Sequence, residues 1–162
     1  MAGIDSLQLA KLLVSNVVAK LALFDSFDVI FTGYQYSALR LGEDNFRLGL
    51  YGELGDYGGL NFEEVIAHAQ TNLRVWVGQW DKRKVIALPE STALDLLPKI
   101  AVFNSPGHLE ELQPNCAVSA IIDGSSVLIW RHQLLSQPIF ELHTAKGDVE
   151  AICLAAALAR SQ

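Results

Sequence analysis

The sequence predicts an α+β fold, a mainly antiparallel sheet with helices packed on one face, and three observations carry that prediction. Segments rich in β-branched and aromatic residues are separated by short turn signals, as hairpins require. The helical segments fall at both ends and between strand pairs instead of alternating with single strands, so the order is not that of a parallel sheet. The third observation is the hairpin 116–122 and 125–131 around Asp123-Gly124, because Asp-Gly fills a two-residue turn in which both residues take positive φ.

That hairpin is apolar on both faces. With Asp123 and Gly124 at the turn, Ile122, Ala120, Val118, Val127 and Ile129 share one face, and Ile121, Ala117, Leu128 and Trp130 the other. Both faces ask for cover. The chain is 51% hydrophobic and 19% charged, below the roughly 25% charged residues of an ordinary soluble domain. The apolar surplus points to association with another protein or a second copy.

The first element is a helix over 5–22, with Asp5 and Gln8 spaced as a capping box. Strands follow over 28–36 and 45–51, joined by Leu41-Gly42-Glu43-Asp44. A helix over 61–70 is capped by Asn61, and Glu63 and Glu64 suit the positive end of its dipole. Residues 73–79 and 84–88 read as a strand pair with Lys82-Arg83-Lys84 at its turn, closed by Pro89; Ser91-Thr92 opens a short helix to Leu97. Pro98, Pro106 and Pro114 mark an irregular connection. A strand over 138–143 and an Ala-rich helix over 148–159 complete the chain, read as one domain over 1–162 with a sub-boundary in the connection 98–114.

Composition excludes several classes. A net charge of −6 and an isoelectric point near 5.1 disfavour nucleic acid, whose phosphates call for a basic face. The N-terminal apolar run carries Asp5, Lys11 and Lys20, so it is read neither as a targeting peptide nor as a membrane span. Cys116 and Cys153 read as small core hydrophobes in a reducing compartment. The expected location is cytoplasmic, or virion-associated.

Candidate chemistry is sparse. Gly49, Gly52, Gly55, Gly58 and Gly59 match no phosphate-loop spacing and read as a strand followed by a turning loop. Glu64 and His68 lie one helical turn apart, and Glu141 and His143 share a strand side, so each pair could move a proton. Zinc needs three or four converging ligands, and the further imidazoles His108 and His132 follow no such spacing, so neither metal nor cofactor is expected. Ser37 and Ser105 sit in no nucleophile elbow. The carboxylates Glu43, Asp44, Glu53, Asp56, Glu63 and Glu64 read as a solvated acidic flank. Tyr34, Tyr36, Trp76, Trp80 and Trp130 are the residue types enriched at protein interfaces and are assigned there.

The run 46–55, then Asn61-Phe62-Glu63-Glu64 and 73–77, resembles the strand, helix, strand order of the small acidic dimeric chaperones of type III secretion, over less than half the chain. The helix-first α+β layout is also similar to that of small tail-terminator and connector subunits of bacteriophages, by architecture alone. Both resemblances imply a non-catalytic protein-binding or assembly subunit, acidic and oligomeric, whose partner is another protein or itself. The alternative is a small enzyme using Glu64 with His68, or Glu141 with His143, for acid-base chemistry on a small molecule.

Overall fold

The computed structural model describes residues 1–31, 34–51, 62–78, 82–104 and 112–160, without the side chains of 31, 34 and 62–65. The fold is α+β, with antiparallel sheets of three and five strands. The described residues gather into two compact units, Met1–Gly78 and Gln79–Gln162. The proline-marked connection 98–114 lies inside the second.

The first unit opens with α1 (Ser6–Leu13), followed by a 3₁₀ turn over Asn16–Lys20. The continuous helix expected over 5–22 is broken at Ser15, whose extended backbone lets its Oγ accept from the N–H of Val17 at 3.2 Å. Serine here caps a new turn instead of extending the old one. Nor does Asp5 form the expected capping box: its carboxylate accepts from Arg74 N–H at 2.8 Å and Nε at 3.1 Å.

Three strands follow, β1 (Ser26–Phe31), β2 (Tyr34–Gly42) and β3 (Asn45–Tyr51), in a simple meander. The strand expected over 28–36 is therefore two, paired antiparallel from Phe31 with Tyr34 back to Ser26 with Leu39. Ala10 of α1 and Val18 pack with Ala38 and Phe46 on one sheet face. On the other face Gln35, Ser37 and Leu39 are also buried. Gly49 leaves room for the ring of Tyr51, which stands 2.8 Å from where a Cβ would be. Next comes α2 (Phe62–Ala69). Gly52, Gly55, Gly58, Gly59, Glu53, Asp56 and the proposed cap Asn61 lie outside the described residues.

Residues 73–78 form no hairpin with 84–88. Trp76 instead makes an isolated bridge with Ala2, its N–H donating to Ala2 O at 2.7 Å, while 84–88 join the second unit. Open backbone groups find whichever strand offers the register, and here that strand is distant in sequence.

The second unit is a five-stranded antiparallel sheet in the order β4-β8-β7-β6-β5, from β4 (Arg83–Pro89), β5 (Ala101–Phe103), β6 (Cys116–Ile122), β7 (Ser125–Leu134) and β8 (Gln137–Ala145). Helix α3 (Glu90–Ile100) carries the chain from one edge strand to the other, with Pro98 inside its last turn instead of in a loop. Helix α4 (Val149–Arg160) closes the chain. Ala93 and Leu97 of α3 and Ile152 of α4 pack with Ala120, Ile122, Val127, Ile129, Phe140 and Leu142, so both helices cover one face. Arg131 fastens the start of α3 to β7, its Nη2 and Nε donating to Glu90 Oε1 at 2.7 and 3.0 Å.

The register Ile122 with Ser125 and Ala117 with Trp130 is the one the Asp-Gly turn dictates. Asp123 (φ 47°) and Gly124 (φ 77°) both take the left-handed conformation such a turn needs. Among the described residues no helix is long and apolar enough to cross a membrane.

Candidate functional site

The face of the second sheet away from α3 and α4 carries Leu128, Trp130 and His132 from β7 and Ile139, Glu141 and His143 from β8, because alternate residues of a strand share a side. Pairing sets Trp130 opposite Glu141 and Leu128 opposite His143, so His132 is diagonal to Glu141. Val85 and Ala87 of β4, and Ala117 and Ser119 of β6, flank them, and Arg83 lies farther along the same side of β4. The centre of this face is buried, with Trp130 and His143 0%, His132 2% and Glu141 3% exposed; at the two edges Val85 and Val102 are open.

Glu141 sits between two imidazoles. His143 Nε2 is 2.9 Å from its Oε2, and His132 Nε2 is 3.7 Å from Oε1. The indole of Trp130 stacks on His132, ring centroids 4.0 Å apart and planes within 13°, and tilts against His143 at 6.0 Å. Burial by itself pushes the Glu141 carboxyl up, but the facing imidazoles of His132 and then His143 outweigh it and hold its pKa down at about 2. Glu141 is thus held as an ionised carboxylate in a buried position.

Of the residues assigned to chemistry from sequence, Glu141 and His143 do share a side of β8, and the structure adds His132. Glu64 and His68 both lie on α2; His68 is exposed, and the Glu64 side chain is outside the described residues, as is His108. The interface aromatics divide. Trp76 is 69% exposed, Tyr36 half-buried and Trp130 fully buried, while Trp80 and the Tyr34 side chain are outside the described residues. Ser37 is buried and donates to Asp28 Oδ1 at 2.5 Å, so its hydroxyl serves a strand-to-strand contact. Ser105 is outside the described residues. Cys153, expected in the core, is exposed on α4, and Cys116 is half-buried. Among the described residues no group of three or more His, Cys, Asp or Glu side chains could hold a metal ion.

Sequence reasoning passed over two features. One is His132, which only the register of β7 with β8 brings to Glu141; that register follows from the turn at Leu135 and Ser136, both at positive φ (47° and 67°) without the glycine that would announce it. The other is the outer side of α4, where Leu154 and Leu158 are each 59% exposed. Leu158 adjoins a groove of about 470 Å³ lined also by Lys99, Ile100, Ala155 and Ala159. The spacing of Leu154 and Leu158, one helical turn apart, is the signal that could have found it.

No protein-family model matches the chain, and no curated protein matches it.

Proposed function

We propose that this chain is a non-catalytic protein-binding or assembly subunit that works in the cytoplasm or on a virion, in the manner of a secretion chaperone or a tail-assembly component. The observation that carries this reading is the exposed apolar side of α4. Leu154 and Leu158 stand open to water, Leu158 beside a groove, in a helix whose opposite side, through Ile152, already belongs to the core. Leucines left open in this way forgo stabilisation that contact with another protein would recover, up to about 1.5 to 3 kcal/mol for a fully buried side chain.

The enzyme alternative draws on the convergence of Glu141, His132 and His143, which satisfies the distance requirement for acid-base work. Burial weighs against it, since all three are at most 3% exposed. The test is to purify the wild-type protein and the Leu154→Asp, Leu158→Asp double variant from the native source and compare what copurifies. The reading expects a stoichiometric protein partner, or a second copy, that the double variant loses while its circular dichroism is unchanged. Full retention of the same partner by the double variant would remove α4 from the account.

A further inference from the structure

We propose that the outer edge of β4 takes an extended acidic segment of another protein as an added strand of the second sheet, on a surface that shares no residue with α4. β4 stands at an edge of that sheet, beside β8. None of its residues is fully buried, and Val85 is 44% exposed.

One hydrogen bond fixes which backbone groups of β4 face outward. Lys146 N–H donates to Lys82 O at 2.9 Å, so residues 82 and 146 form a hydrogen-bonded antiparallel pair. Lys84 with Thr144, Ile86 with Leu142 and Leu88 with Phe140 repeat it at two-residue steps. Val85 and Ala87 fall between these pairs, and both are exposed, so their N–H and C=O groups turn away from β8 toward water. Pro89 has no N–H and ends the row. An edge of this kind is a template for another strand.

Charge says which strand fits. The pairing sets Lys82 directly opposite Lys146, and Lys84 lies two residues from Lys82 on the same side, so three exposed lysines share one corner of the sheet. Among the described residues none of the three forms an ion pair with a carboxylate. A chain of net charge −6 gathers cations here against its own balance, and like charges directly opposite each other are destabilising. Lysines on an open edge discourage an uncharged strand and favour one with carboxylates at the matching positions. Every strand pair of this sheet is antiparallel. An added strand of the same sense is therefore apolar opposite Ala87 and Val85, beside the exposed valine, and acidic toward its C-terminal end, opposite Lys84 and Lys82.

Fluorescence anisotropy of the full chain with a labelled, end-blocked peptide Thr-Val-Thr-Val-Glu-Thr-Glu tests this. The expected result is saturable binding with Kd on the order of 100 μM, since so short a strand falls below the roughly 800 Å² per partner of a standard complex. N-methylation of both valines, whose N–H groups would meet β4, should weaken binding at least about tenfold, whereas N-methylation of the threonine between them, which faces away, should change it less than about threefold. Lys84→Glu combined with Lys146→Glu should weaken binding about tenfold and should turn the preference toward a peptide with lysines in place of the glutamates. Both positions are exposed, and circular dichroism checks that the variant stays folded. No binding at about 1 mM peptide overturns the inference. So does binding that methylation of the valines leaves unchanged, which would make the corner a site for anions alone, or wild type that takes the lysine peptide as well as the glutamate one.

Discussion

The imidazole of His143 meets the carboxylate of Glu141 from two residues along the same strand, Nε2 to Oε2 at 2.9 Å, with both side chains buried. A strand's two-residue period puts them on one side, and β7 supplies Trp130 and His132 to complete the cluster. A buried carboxylate is costly unless it is paired, so the cluster survives only as a unit.

Stability should therefore fall in acid. The Glu141 carboxyl is held at about 2 in the folded chain against an ordinary 4.5, so its contribution is complete above about pH 4.5 and is lost as pH falls toward 2. The shift corresponds to about 3 kcal/mol. Urea unfolding followed by tryptophan fluorescence at descending pH should show this loss. Glu141→Gln should be less stable near neutrality and should lose this component of the acid dependence. An acid limb identical in wild type and variant would mean that Glu141 does not titrate as described.

The two histidines assigned to chemistry from sequence should behave oppositely. His143→Gln removes a group in contact with a buried carboxylate and should cost about 1 to 3 kcal/mol. His68→Gln changes an exposed side chain on α2 and should stay within about 0.5 kcal/mol of wild type. Equal effects in thermal melts would argue against the environments described for the two residues.

The Asp123-Gly124 turn offers a backbone test. Gly124 has φ 77° and open space around its missing Cβ, so Gly124→Ala meets no clash and pays only for the left-handed conformation, about 1 to 2 kcal/mol. Gly147, also in open space but without positive φ, is the control, and Gly147→Ala should be neutral or slightly stabilising. Denaturant midpoints that move together in the two variants would contradict the assignment of strain to Gly124.

How much could be read from the sequence depended on whether a turn carried glycine at the position that needs it. The β6–β7 hairpin was legible in full, register included, because Asp-Gly admits few other readings. The β7–β8 turn was not, since Leu135 and Ser136 adopt positive φ under tertiary constraint, and with it went the meeting of His132 with Glu141. Ser15 is an ordinary helix residue until its hydroxyl finds the Val17 N–H, so the break after α1 was hidden. The 73–79 and 84–88 pairing failed for another reason: alternation marks strand character without naming a partner, and 84–88 pair with β8. The open side of α4 was obscured by its alanines, which suit both a buried helix and an exposed one.

Arg131 and Glu90 test how α3 is held. The guanidinium donates twice to one carboxylate oxygen and once to Leu112 O at 2.5 Å, and it lies 5.6 Å from the ring centre of Phe140. Glu90→Gln should cost about 1 to 3 kcal/mol, read from chemical denaturation. Salt should narrow the gap between variant and wild type only slightly, because the pair is mostly buried. A variant as stable as wild type would show that packing of Ala93 and Leu97 alone anchors the helix.

Hydrogen exchange of the full chain, free and with its copurified partner, tests the binding role of α4 most directly. Binding through Leu154 and Leu158 predicts added protection concentrated in 149–160, with the amides around Glu141 and His143 slow to exchange in both states. Unchanged exchange over 149–160, with new protection appearing around 139–143 on adding a small molecule, would contradict this account and favour the enzyme.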